Sequence, residues 1–181
     1  MAAPLTTCLW FDDQAEEAAR YYVSVFAPDS ALTRTQRHTA ATTTAGQDTT
    51  PAAAAQERAD PGGRSSVLLV EFALRGQRFV ALNGGPQPWS FNPAVSFQVD
   101  CADQAEVDRF WAALGDGGDE SAQKCGWVAD RYGVSWQVVP EVVKALLASD
   151  DREAADRAMT AMMGMKKLDI AALQKAFDNA S

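Results

Sequence analysis

Short polar side chains recur two residues apart in two apolar runs. Ser96 and Gln98 alternate with Val95, Phe97 and Val99; Ser135 and Gln137 alternate with Val134, Trp136 and Val138. Successive side chains of a strand face opposite ways, so each polar pair lies on one side of its strand. Hydroxyls and amides beside an indole, Trp127, suit a small organic ligand held by an apolar wall and a few hydrogen bonds, unless they pair with one another and close the core. Cys8 could be a nucleophile, but no His or Lys near it in sequence would lower its pKa, so a buried, unreactive thiol is expected. Asp130 and Arg131 could hold an anion or pair across a turn. His38, the only histidine, has no partner histidine and reads as a surface residue.

A repeated text offers a second kind of chemistry. Asp13-Gln-Ala-Glu16 recurs as Asp103-Gln-Ala-Glu106, and acidic residues recurring at one spacing could form a catalytic pair. The surrounding sequence gives them a different duty. An apolar run precedes each copy (5–11 and 94–99), and a basic-aromatic-aromatic triplet follows each, Arg20-Tyr21-Tyr22 and Arg109-Phe110-Trp111. Asp followed by Glu three residues later is the spacing of a capping box, so each copy is expected to open a helix. The inner face of the first helix would be Ala15, Ala19, Tyr22 and Phe26, with Pro28 beyond its end; that of the second would be Val107, Phe110, Trp111 and Leu114.

Strands are expected at 5–11, 32–38, 67–74, 77–82 and 94–99, then at about 119–124, 125–129 and 134–139. Arg75-Gly76 reads as a tight hairpin turn and 130–133 as a second turn. The order is therefore strand, helix and three strands, twice. Residues 39–65 are Ala, Thr, Pro and Gly with hardly a large apolar side chain, which predicts a long flexible insertion. From Glu141 onward the pattern is helical: Val142, Val143, Leu146 and Leu147 make one stripe, Asp151 opens a helix bearing Ala155, Met159, Met162 and Met163, and Asp169 opens another bearing Ile170, Leu173 and Phe177. Such short helices must pack on the body or on a second subunit.

The totals exclude several classes. The chain has 181 residues, 47% of them hydrophobic, and a formal charge of -8. It lacks the basic stripe that phosphate backbones or anionic membranes attract, so neither nucleic acid nor a membrane is an expected partner. No apolar run approaches the ~20 residues of a membrane span, and the first residues do not read as a secretory signal. Cys8, Cys101 and Cys125 form an odd count without CxxC spacing, which argues against disulfides and a zinc site. A cytoplasmic protein is expected.

The duplicated unit resembles the vicinal oxygen chelate superfamily, the glyoxalase, bleomycin-resistance and dihydroxybiphenyl dioxygenase-like fold. Within it the chain closely resembles the PhnB-like branch, labelled "3-demethylubiquinone-9 3-methyltransferase" domain. The residues that carry this include Cys-Leu-Trp-Phe-Asp at 8–12, Val-Leu-Leu-Val-Glu-Phe at 67–72 and Ala-Leu-Asn-Gly-Gly-Pro at 81–86. More specific are Asp-Gln-Ala-Glu-Val-Asp-Arg at 103–109, Asp-Arg-Tyr-Gly-Val-Ser-Trp-Gln at 130–137 and Met-Lys-Lys-Leu-Asp-Ile at 165–170.

The resemblance implies an α+β fold of paired βαβββ modules over 1–140 (about 3–86 and 93–140) with a C-terminal helical extension over 141–181, in a homodimer. It also implies a cleft between the modules, for which Cys8, Trp10, Asn83, Ser96, Gln98, Trp127, Ser135 and Gln137 are the candidate ligand-binding residues. Enzymes of the superfamily bind a divalent metal with His and Glu on the first and last strands of each module. Here those strands offer Thr6, Cys8, Trp10, Asn83, Ser96, Gln98 and Gln137, none of them His or carboxylate, so no metal and no cofactor are expected. Nor do the glycines at 84–85 and 117–118 stand in the strand–turn–helix setting that seats a nucleotide methyl donor. The leading expectation is metal-independent binding of a small organic molecule. The alternatives are an isomerase, lyase or group transferase of the same fold, the labelled methyltransferase included, and a non-catalytic dimeric interaction protein.

Overall fold

A computed structural model describes residues 5–38 and 66–179; the 39–65 insertion lies outside the described residues. The chain divides into two compact units, Met1–Pro88 and Trp89–Ser181.

The first unit runs β1 (Thr7–Phe11), α1 (Ala15–Val25), β2 (Ser30–Arg37), β3 (Val67–Leu74) and β4 (Gln77–Asn83). Its four strands lie in the order β1-β4-β3-β2, with β1 parallel to β4 and the other pairs antiparallel. The β3–β4 hairpin turns on Arg75 and Gly76, both at positive φ (45° and 86°), the primed turn that matches strand twist. Small residues let α1 lie close to the sheet. Ala15, Ala19 and Tyr22 are completely buried, as the sequence spacing predicts, and so is Ala18 beside them. Phe72 stacks between Tyr22 and Phe79, at centroid distances of 6.2 and 5.2 Å.

The start of α1 differs from the expectation. Asp13 makes no capping bond; Gln14 is the N-cap and caps nothing with its side chain. The Asn83 Oδ1 atom, at the end of β4, accepts the Ala15 N–H at 2.8 Å instead, and Glu16 pairs with Arg20 at 2.6 Å. The helix begins one residue later than in the second copy, which moves Asp13 off the capping position.

The second unit runs β5 (Ser96–Cys101), α2 (Gln104–Gly115), a 3-10 turn (Glu120–Ala122), β6 (Trp127–Ala129), β7 (Ser135–Pro140), α3 (Glu141–Leu147), α4 (Arg152–Met163) and α5 (Ile170–Asp178). Here the capping box forms: Asp103 accepts from the Glu106 N–H, and Glu106 reaches back to the Ala102 N–H, both at 2.9 Å. The strands lie in the order β5-β7-β6, with β5 parallel to β7. The strand expected at 119–124 is a 3-10 turn. Asp119 caps it through the Ser121 N–H at 2.8 Å, and none of Glu120, Ser121 and Ala122 is buried. Cys125 and Gly126 are not strand residues either. Their φ angles of 52° and 84° make a primed turn between Lys124 and Trp127.

The C-terminal helices build on this unit. Val143, Leu146, Ala158, Leu168 and Leu173 share one buried cluster. Cys125 and Gly126 donate their N–H groups to the carbonyls of Met165 and Lys166, both at 2.8 Å, and Lys167 pairs with Asp108. Asp151 and Asp169 cap α4 and α5, as the sequence predicts. The face of α4 is rotated from the expected stripe. Its buried residues are Ala154, Ala155 and Ala158, while Met159 and Met163 are 41% and 53% exposed.

Candidate functional site

Register gathers the candidate residues of the second unit on one sheet face. Pairing of β5 with β7 sets Ser96 beside Ser135 and Gln98 beside Gln137, and pairing of β6 with β7 adds Trp127 beside Gln137. Trp127, Gln137 and Gln98 therefore form one row across three strands, with neighbouring strands about 5 Å apart. The opposite face carries Val99, Cys101, Val128, Trp136 and Val138, all buried. Gln98 is exposed and Ser96, Gln137 and Trp127 are half-buried; Ser135, at 6% exposure, is the buried member. The Gln137 amide nitrogen donates to Ser96 Oγ at 2.8 Å. That of Gln98 donates to Asp100 Oδ1 at 2.7 Å, which Lys144 Nζ also meets at 2.5 Å.

The candidates of the first unit divide into two kinds. Cys8 and Trp10 alternate with the buried Leu9 and Phe11, and stand on the uncovered side of β1. Cys8 is exposed rather than buried as expected. Neighbouring protein still displaces enough water to raise its thiol above the ordinary cysteine value, so it is not an activated thiolate. Trp10 rests its indole against Gly84, where a Cβ would overlap the ring, and donates Nε1–H to the Gly85 carbonyl at 2.9 Å. Asn83 is of the other kind. One end of its amide caps α1 and the other donates to the Val67 carbonyl at 3.0 Å.

Sequence reasoning missed Asp100 and Lys144. Asp100 follows Gln98 at the strand interval, a signal available in the sequence, whereas Lys144 comes from α3. Asp130 and Arg131 do not join in an anion site. Asp130 is buried and accepts the N–H groups of Tyr132 and Val134 and the Trp136 indole at 2.8, 3.0 and 2.8 Å, while Arg131 pairs with Asp116. His38 is exposed, as expected.

The donor set does not fit a divalent metal. Among the described residues no group of three or more His, Cys, Asp or Glu could hold one, and the superfamily's ligand positions carry a thiol, an indole, a hydroxyl and neutral amides. A nucleotide methyl donor fits no better. Gly84 and Gly85 follow β4 but lead into the irregular stretch 84–95, and Gly117 and Gly118 follow a helix. No helix among the described residues is long and apolar enough to cross a membrane.

Comparison with known proteins agrees with this architecture. The structure is similar to a Bacillus cereus protein provisionally titled 3-demethylubiquinone-9 3-methyltransferase, PhnB protein, with 28% identity and a TM-score of 0.56. The match covers 76% of this chain and 99% of that one. A protein from Pseudomonas aeruginosa shares the fold at 19% identity and a TM-score of 0.52, over 77% of this chain and 98% of that one. No curated protein matches. The sequence itself matches the profile of the 3-demethylubiquinone-9 3-methyltransferase family over residues 3–54 and 47–139. With the strands of both units inside that match, or all but the last residue of β7, and the PhnB protein alike in fold, this chain belongs to the 3-demethylubiquinone-9 3-methyltransferase, PhnB-like family.

Proposed function

We propose that the protein binds a small organic molecule without a metal ion, on the polar sheet faces of its two units. The row Trp127–Gln137–Gln98, beside Ser96, carries this reading. An indole wall and outward-facing amides on a rigid sheet are what a small-molecule site requires, and neutral donors of this kind do not assemble a tight divalent site. Ser135 would support the row from beneath, and Cys8, Trp10 and Asn83 are the candidates that the first unit offers on its own sheet. Methyl transfer, which the family name describes, would need a seat for the methyl donor, and the glycines at 84–85 and 117–118 do not supply one.

The test is native mass spectrometry of protein purified from its own host. A small molecule retained by the wild type and lost from the double variant Gln98→Leu/Gln137→Leu is the expected outcome; equal retention by both, or none by either, would sink the proposal. In the same reading the protein is a cytoplasmic homodimer. Sedimentation equilibrium should give twice the mass of one chain, and cell fractionation should place it with the soluble cytoplasmic proteins.

A further inference from the structure

Two sulfur atoms meet where the second unit joins its helical extension. Cys125 lies in the turn between Lys124 and Trp127, and Met163 is the last residue of α4. The Cys125 Sγ atom is 3.8 Å from Met163 Sδ and 3.7 Å from the Met163 carbonyl oxygen. The backbone holds the thiol in place: Cys125 has a φ of 52° and donates its N–H to the Met165 carbonyl at 2.8 Å. A left-handed position is adopted more cheaply by Gly or Asn, so the turn itself does not call for a cysteine. The pair also reaches the surface. Cys125 is half-buried and Met163 is 53% exposed, whereas Met162 and Met165 pack against the helical cluster.

Thiolate and thioether are soft donors, which suit Cu(I) and not hard cations. With metal–sulfur bonds of about 2.3 Å, two sulfurs at this separation subtend roughly 110° at a shared ion, an angle of three- or four-coordination. Met159 offers a third sulfur. It stands one helical turn before Met163 on the same side of α4, is 41% exposed, and has three rotatable side-chain bonds. Zinc would need further imidazole, thiolate or carboxylate ligands, and no cluster of them exists among the described residues. Lys124 and Lys166, next in sequence to Cys125 and Met165, carry positive charge that penalises a divalent ion more than a monovalent one.

We infer that Cys125 and Met163, with Met159 as third donor, bind a soft monovalent metal ion of the Cu(I) class. The thiol gives up its proton to water and its sulfur takes the ion in exchange, with no change of oxidation state. The bound ion ties the 124–127 turn to the end of α4. This site shares no residue with the row Trp127–Gln137–Gln98 and does not depend on the binding function proposed above.

The test is 1H–13C NMR on the full chain carrying 13C-labelled methionine methyls, titrated with Ag(I), a redox-inert stand-in for Cu(I), and separately with Zn(II). Ag(I) is expected to move the Met159 and Met163 methyl signals saturably, and Zn(II) to leave them in place. Cys125→Ser keeps the side-chain size and Met163 is exposed, so Cys125→Ser and Met163→Leu should both fold normally. In Cys125→Ser the Met163 shift should require roughly tenfold more Ag(I). Cys8 is also exposed, so chelator competition is run in the Cys8→Ser background, where Met163→Leu should weaken Ag(I) by about tenfold or more. No uptake of Ag(I), or uptake that leaves the Met163 methyl unmoved, would overturn the site, as would equal affinity with and without Met163 or an undiminished response in Cys125→Ser. A Met159 methyl that alone stays in place would remove the third donor. Equal shifts with Zn(II) would overturn the assignment to a soft monovalent ion.

Discussion

Asp130 shows how a single residue can look chemical and serve the fold. At 2% exposure it accepts three hydrogen bonds, two on Oδ1 from the turn it opens and one on Oδ2 from the Trp136 indole. It joins the 130–133 turn to the buried face of β7, and so sets the strand from which Ser135 and Gln137 face the other way. Replacing it with Ala leaves buried donors unsatisfied, each costing roughly 1–3 kcal/mol. Asp130→Ala should therefore lower stability by about 2–4 kcal/mol, read as a fall in urea midpoint, and Asp130→Asn by less, since an amide keeps one acceptor. An unchanged midpoint in Asp130→Ala would remove this role. Sequence presented Asp130-Arg131 as a pair. Their separation needed the fold, because the indole that claims Asp130 lies six residues on and the partner of Arg131 is Asp116.

At the scale of elements, the two copies of Asp-Gln-Ala-Glu are identical in sequence and unequal in function. Asp103 caps α2, whereas α1 is capped from β4 by Asn83 and leaves Asp13 without that task. Asp103→Ala should cost about 1 kcal/mol, the usual loss for an N-cap, and Asp13→Ala almost nothing. Asn83→Ala should cost roughly 1–2 kcal/mol, since the bond to the Val67 carbonyl goes with the cap. Comparable losses at Asp13 and Asp103 in urea titrations would show that the copies do the same work after all. The α1 and α2 faces, the β3–β4 hairpin and the succession of strand, helix and three strands in the first unit were legible because periodicity and turn residues are local. The 119–124 strand and the α4 face were not. A short polar segment carries no period, and which side of an Ala- and Met-rich helix is buried depends on what it meets.

At the scale of the whole molecule, the helices from Glu141 onward are built into the second unit rather than appended to it. The family match ends at residue 139, yet these helices are part of the second unit's core. Gln104, on α2, accepts from the Ile170 N–H and donates to the Leu168 carbonyl at 2.9 and 3.1 Å. Gly126 needs to be glycine both for its positive φ and because a Cβ there would crowd Leu168 and the Val138 carbonyl. An electrostatic latch completes the contact. The Lys167 ammonium, then the Gln104 amide, hold the Asp108 carboxyl below its ordinary value. A carboxyl depressed on folding contributes stability above its unfolded pKa, about pH 4, and loses that contribution as pH falls through the lower folded value. Wild type should thus exceed Asp108→Asn in urea midpoint at neutral pH, and the gap should close on acidification below the ordinary carboxylate range. A gap that persisted there would mean the latch is not ionic. Because both partners are exposed, the gap should also shrink in high salt.

From the residues in order came the α+β class, the doubled unit, the family and the strand faces on which the polar candidates lie, since each follows from local period, capping residues or motif. It took the folded chain to show that Asn83 supports a helix while Gln98 is held by Asp100 and Gln137 by Ser96, and that one Asp-Gln-Ala-Glu caps while the other does not. A side chain's period tells which way it points, but its hydrogen bonds depend on which distant atoms the register brings within about 3 Å. For Asn83 those atoms are on α1 and β3, and for Gln98 they are on Asp100, itself held by Lys144 from α3.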